Sequence, residues 1–234
     1  MPQLPLLSIL ALALLTTACQ YEPDPSTALA ERADLVRYVA ARAAEGDDVA
    51  ADRRAELQEL AEARLESLDD GEARLTFVCT HNSRRSQMAQ VWAQIAAAHF
   101  DVENVAVFSG GTQATAFHPH AVAALERAGL EIARTDETQN PVYEVLVGRN
   151  ANLACWSKKF DSPDNPSDEF IAVMTCSEAD RSCPFVPGAR RRIAITYEDP
   201  KAFDETPREQ EAYDERCAQI AREMLLTFRL VSEG

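Results

Sequence analysis

Positive charge is in short supply. Lysine and arginine number 23 against 38 aspartates and glutamates, a net charge of −15, which argues against nonspecific binding of nucleic acid. No internal repeat runs through the chain. The apolar run at residues 4–15, interrupted by Pro5 and Ser8, is too short and too early to be a stable membrane span. No two cysteines stand at the Cys-x2–4-Cys spacing of a structural zinc site. No metal is therefore expected.

The early apolar run does resemble an export signal. It ends in Thr16-Thr17-Ala18-Cys19, similar to a bacterial lipobox in which Cys19 is lipidated and becomes the mature N-terminus. The residues before the run include no lysine or arginine, and Thr16 stands where leucine is usual. An ordinary signal peptide and a wrongly chosen start codon therefore stay open beside lipid anchoring in the cell envelope. If Cys19 is set apart, five cysteines remain (Cys79, Cys155, Cys176, Cys183, Cys217). An odd count argues against a purely structural disulfide framework.

Acidity is concentrated after the leader. Residues 20–73 carry 15 acidic residues against 6 arginines. After a Pro-rich tether, two helical patterns occupy about 26–44 and 48–68, with Leu57, Leu60, Ala61, Leu65 and Leu68 on one face of the second. They read as an acidic α-hairpin over 20–72 packed on a main domain, with a solvated linker as the alternative. From residue 73 the pattern alternates between strand and helix. Strands are expected at 75–78, 105–108, 170–175 and 193–197, and helices over 86–100, 119–128 and from Thr206 onward. Apolar strands alternating with helices imply a parallel sheet covered on both faces, with ligands at the strand carboxyl ends. Cys79, Cys176 and Asp199 all fall at such ends. Residues 140–167 interrupt the scheme with two β-like runs and a Pro/Asp-rich loop, read as a hairpin near the site rim.

Cys79 is the most informative residue. Cys79-Thr80-His81-Asn82-Ser83-Arg84-Arg85-Ser86 joins an apolar strand to a helix. A tight loop entering a helix points successive N–H groups at one centre, and the helix start adds unpaired donors and the positive end of its dipole. A tetrahedral dianion fits such a cradle, and Arg85 can close on it with a planar fork. The same field favours a thiolate at Cys79, the nucleophilic form of the side chain.

Four segments together resemble the low-molecular-weight protein tyrosine phosphatase fold family, and within it the thioredoxin-coupled arsenate reductases. They are 78–89, then 108–112 with 118–122, then Met174-Thr175-Cys176-Ser177-Glu178-Ala179-Asp180-Arg181-Ser182-Cys183-Pro184, and Tyr197-Glu198-Asp199-Pro200. The resemblance covers residues 73–234 apart from 140–167. It implies an α/β fold, a three-layer αβα sandwich around a four-stranded parallel sheet, here extended by the N-terminal α-hairpin. It implies that Cys79 attacks the oxyanion, that Thr80, His81, Asn82, Ser83, Arg84, Arg85 and Ser86 bind it, and that Ser109 supports the loop through Asn82. Asp199 takes the place of the general acid, with Glu198 in reserve; a plain turn-forming Asp-Pro is the alternative. Cys176 and Cys183 match a pair of redox cysteines, with a static disulfide as the other reading. No cofactor is implied beyond an external dithiol such as thioredoxin.

The resemblance implies reduction of arsenate or, as the alternative, hydrolysis of phosphotyrosine through a Cys79 phosphoenzyme; a lipoprotein that senses redox state or oxyanions without catalysis is a rival reading from another class. The chain departs from the family in the loop. His81 replaces a glycine, which suggests backbone strain there, and Arg84 replaces a second cysteine and adds positive charge. Gln90 stands where some reductases carry a potassium-ligating glutamate, so potassium is not expected. His118 and His120 read as caps or rim residues, and Cys155 and Cys217 as packing residues.

Overall fold

The computed structural model describes residues 25–67, 71–148 and 151–233. The leader with Cys19, the start of the tether and Leu68 lie outside the described residues. Among the described residues no helix is long and apolar enough to cross a membrane.

The centre is a parallel sheet in the order β2-β1-β6-β7. Its strands are β1 (Ala73–Cys79), β2 (Val105–Gly111), β6 (Phe170–Met174) and β7 (Ala189–Ala194). The period-two alternation of a strand divides the core into two. Leu75, Phe77, Ile171, Val173 and Ile193 face one side. Val78, Phe170, Ala172 and Met174 face the other. Burial on both faces explains why β6 is apolar without alternation.

The two covering layers are unequal. Helices α3 (Arg85–His99), α4 (Pro119–Arg127) and α6 (Glu209–Glu233) pack into the first core with Trp92, Leu125, Tyr213 and Phe228. The second core is closed by the short α5 (Ser177–Ser182), through Ala179, and by Val186 and Phe160 from irregular chain. The N-terminal hairpin, α1 (Pro25–Ala44) and α2 (Ala51–Glu66), extends the first layer. Leu57, Leu60 and Ala63 of α2 are buried in the same core as α6, and Tyr38 of α1 stacks on Trp92 at 5.4 Å. The hairpin's acidic side chains remain on the outside, as the charge pattern required.

The largest departures from the expected strand bounds are in β2 and β7. β2 continues through Ser109, Gly110 and Gly111, where a turn was expected, because these residues pair with Phe77, Val78 and Cys79. β7 starts earlier than 193, at Ala189, and includes Arg190, Arg191 and Arg192. It is an edge strand of the sheet, where charged side chains find solvent and the apolar signal is lost. Within 140–167, β4 (Tyr143–Leu146) and β5 (Asn152–Cys155) form the expected antiparallel hairpin, and β3 (Ile132–Arg134) adds to it. Residues 156–160 do not continue as strand. They turn back to β2 and the loop after β1.

Candidate active site

Residues 79–86 form a loop whose carbonyls all point away from its centre. The Cys79 carbonyl accepts from Thr112 N–H at 3.1 Å, and that of Thr80 from Gln113 N–H at 2.8 Å. The His81 carbonyl accepts from the Ser157 hydroxyl at 2.9 Å, and that of Asn82 from Gln87 Nε2 at 3.1 Å. The carbonyls of Ser83 and Arg84 accept from the N–H groups of His118 and Met88, each at 2.9 Å. Across a planar trans peptide the next N–H points the opposite way. The N–H groups of residues 80–85 therefore face inward, and none donates to a protein acceptor among the described residues. The free donors of the first turn of α3 join them. Inward N–H groups at a helix start make an anion cradle.

Cys79 lies at the base of the cradle, 3 % exposed. Its Sγ is 3.1 Å from the Ser86 hydroxyl, which also accepts from Asn82 Nδ2 at 2.9 Å. Asn82 itself takes the left-handed conformation, φ +47°. His81 does not, so the strain expected from replacing glycine falls one residue later, on a type that tolerates it.

Asn82 is fixed from an unexpected direction. Its Oδ1 accepts from Lys158 N–H at 2.8 Å, and Gln87 Nε2 lies 3.2 Å away. Ser109 does not take part. Its hydroxyl is buried with no hydrogen-bond partner, while its carbonyl accepts from Asn165 Nδ2 at 3.1 Å. The loop support assigned to Ser109 belongs instead to Ser157 and Lys158. No hydrogen bond joins the Ser109 hydroxyl to Asn82. No motif in the sequence marked Ser157 or Lys158, because each acts through a single hydrogen bond made far along the chain. Burial pushes the Lys158 ammonium below its usual range, and it rests 4.0 Å from the Trp156 ring centre.

The adjacent arginines have different roles. Arg85 donates to the Tyr197 carbonyl at 3.0 Å and to Asp199 Oδ2 at 2.5 Å. Arg84, expected to add charge to the cradle, turns its guanidinium to the Tyr213 hydroxyl at 2.7 Å and Asp204 at 3.3 Å. Its charge is neutralised there, so oxyanion binding by that side chain is not supported. Cys79, His81, Ser83, Arg84, Arg85 and Asp199 line a cleft of about 10 Å³, room for no more than a water, and the Arg85–Asp199 ion pair is part of its lining. A groove of about 760 Å³ lies elsewhere, between α1, α4 and α6, and contains none of these groups.

His118 caps α4 by accepting from His120 N–H at 3.3 Å. Burial, aided by the Arg84 charge, pushes its imidazole down to about 4. His120, Asp204 and Glu209 bring one ligand atom each within 4.8 Å of one another. Their carboxylates are already engaged, Asp204 by Arg84 and Tyr213 and Glu209 by the Glu205 N–H. This cluster is an ion-pair and cap network.

Cys176 is fully buried beside the loop. Its Sγ accepts from Ala179 N–H at 3.3 Å, capping α5, and is 3.4 Å from the Thr80 hydroxyl. Thr80 thus faces the second cysteine. Cys183 is half-buried at the far end of α5 and is a free thiol, as is Cys176. Arg192 holds that end, donating to the Cys183 carbonyl at 2.9 Å and to the Asp180 carbonyl and carboxylate at 2.6 Å each. Burial pushes the Cys155 and Cys217 thiols up to about 12, in keeping with packing roles.

A family model, low molecular weight phosphotyrosine protein phosphatase, matches residues 74–147. An arsenate reductase of Brevibacillus brevis is 31 % identical over 146 residues, 62 % of this chain and 90 % of that protein. One from Bacillus licheniformis is 28 % identical over 157 residues, 67 % of this chain and 95 % of the relative. Among solved structures, a low molecular weight protein tyrosine phosphatase from T. tengcongensis overlays with a TM-score of 0.46 at 17 % identity, covering 65 % of this chain and 95 % of its own.

Proposed function

Because the chain belongs to the low-molecular-weight phosphotyrosine protein phosphatase family, in its arsenate reductase-like branch, we propose that this enzyme reduces arsenate through a Cys79, Cys176 and Cys183 cascade. The observation that carries the reading is the placement of Cys176. Its thiol sits one hydroxyl away from a loop whose inward N–H groups surround Cys79. Phosphoester hydrolysis needs the cradle, Arg85 and Asp199, but has no use for a second thiol there.

The Cys79 thiolate, hydrogen-bonded by Ser86, attacks arsenic held by the loop amides and Arg85. Asp199, acting as the general acid, gives a proton to the departing oxygen, which leaves as water. Cys176 then attacks the Cys79 sulfur. The sulfur–arsenic electron pair goes to arsenic, arsenite departs, and a Cys79–Cys176 disulfide remains. Cys183 attacks Cys176 and releases Cys79 as thiolate. An external dithiol, thioredoxin-like in chemistry, reduces the Cys176–Cys183 disulfide and restores the two electrons. Seven helical residues span about 10.5 Å, whereas bridged Cα atoms lie within about 7 Å. α5 must therefore unwind in each cycle. Lipid attachment at Cys19 belongs to the same proposal. It requires a dithiol donor reaching the cell envelope, which is otherwise oxidising.

Single-turnover arsenite release from the pre-reduced protein, with thiols counted before and after, tests the cascade. The expected result is stoichiometric arsenite with two thiols lost and the disulfide mapped to Cys176–Cys183. Cys183→Ser should stop repeated turnover but leave aryl phosphate hydrolysis nearly intact. Hydrolysis without any arsenite release would leave the chain a phosphatase. Arsenate binding without either reaction would leave it a sensor.

A further inference from the structure

The N-terminal hairpin reaches the active site through one side chain. Arg53, in the first turn of α2, is mostly buried, with a side chain 17 % exposed. Its Nε donates to Glu223 of α6 at 2.9 Å. A second nitrogen donates to Glu56 at 2.5 Å, and the third donates to the Thr196 carbonyl at 3.0 Å. The guanidinium also sits 4.8 Å from the centre of the Tyr197 ring.

Thr196 and Tyr197 lead directly to the acid. The Tyr197 N–H donates to the Thr175 carbonyl at 3.1 Å, beside Cys176, and the Tyr197 carbonyl accepts from Arg85 at 3.0 Å. Arg85 then meets Asp199 at 2.5 Å. The arm at residues 195–199 lies past the end of β7, and the backbone bonds of Ile195 and Tyr197 tie it to the end of β6. Arg53 holds its other side. A planar fork that bonds a carbonyl, pairs two carboxylates and stacks on a ring restricts both the height and the tilt of the arm. Asp199, two residues beyond the stacked ring, takes its position from that restraint.

We propose that Arg53 is a positioning residue for the general acid, so that the hairpin outside the shared catalytic fold is a working part of this active site. The proposal rests on the reading of Asp199 as the acid. A 1 Å displacement of a reacting group can cost about 100-fold in rate. The loss should fall on reactions whose leaving group needs a proton and spare those whose leaving group does not.

The experiment uses the full chain and measures the phenol burst that accompanies phosphorylation of Cys79. Phenyl phosphate has a poor leaving group, and 2,4-dinitrophenyl phosphate a good one. Arg53→Ala is made in a Glu223→Gln background, which removes the pair together and leaves no buried carboxylate unpartnered. Glu223→Gln alone is the control. The expected result, relative to the Glu223→Gln control, is a burst rate about 10- to 100-fold lower for phenyl phosphate and a change of less than about threefold for the dinitrophenyl ester. Faster amide exchange at 195–199 should accompany it. Equal losses on both esters, or unchanged exchange, overturn the proposal while leaving the Cys79 reading intact. A wild-type chain that releases phenol from neither ester removes the Cys79 reading, and the acid and the proposal with it.

Discussion

Gly110→Ala tests whether residues 157–160 brace the catalytic loop. Gly110 pairs with Val78, one residue before Cys79. A Cβ at this position would lie 2.3 Å from Phe160 Cα and 2.7 Å from Phe160 N, where ordinary contact begins at 3.4 Å. Both are backbone atoms, so the brace must retreat by about 1 Å. Three hydrogen bonds lie in the path of that movement. Gly111 N–H donates to Lys158 O at 2.9 Å, Phe160 N–H to Gly111 O at 3.0 Å, and Lys158 N–H to Asn82 Oδ1 at 2.8 Å. At about 1 kcal/mol each, their loss costs about 3 kcal/mol, or roughly 6–12 °C in Tm for a chain of this size. Asn82 also loses the anchor that sets its left-handed backbone and its bond to Ser86. Turnover at Cys79 should therefore fall along with stability. Thermal denaturation followed by circular dichroism reads the first effect, and arsenite release at 20 °C the second. A Tm within about 2 °C of wild type would refute the brace.

Two further perturbations follow from the same geometry. His118 is held near 4 in the folded chain, against 6.5 for an ordinary histidine, so the unfolded chain binds its proton first as pH falls. Stability should decline from about pH 6.5 to about pH 4. The full linkage of about 3 kcal/mol is reduced to about 1–2 kcal/mol for this half-buried ring. His118→Asn, which retains a capping acceptor, should flatten the decline in denaturant midpoints measured at pH 7 and 4.5; an equally steep decline sinks the assignment. Arg192→Ala removes three bonds from the far end of α5. It should speed formation of the Cys176–Cys183 disulfide under a mild oxidant roughly tenfold, as followed by peptide mapping. An unchanged rate would mean that Arg192 does not limit unwinding.

Much of the site was legible from residue order alone. A strand, a cysteine, five residues, Arg85 and a helix are a local arrangement, and local geometry makes the cradle wherever the chain folds into a parallel sheet. The bond between Ser86 and Cys79 follows from the same loop. The apolar strands stand out because burial on both faces leaves no room for polar residues. The acidic hairpin is legible because its helical periodicity and its charge excess coincide.

Tertiary structure decided what local order leaves equivalent. Arg84 and Arg85 are neighbours of identical chemistry, and they part company only because Asp204 and Tyr213 arrive on one side and Asp199 on the other, more than 110 positions later. Nothing in local order separates Ser109 from Lys158 as a support for Asn82, and only the folded chain brings the Lys158 N–H to Asn82 Oδ1 and leaves the Ser109 hydroxyl without a partner. β7 hides behind three arginines because an edge strand exposes one of its sides. Arg53 looks like any surface arginine on an acidic helix until α2 docks on α6 and brings it to Thr196. Sequence by itself determined that Cys79, Arg85 and the N–H groups of an anion cradle share one site, since those depend on neighbours within one loop. The partner of each charge, and the support of each strained backbone, depended on groups that only the packed fold brings within 3 Å, and they leave no periodicity in the chain.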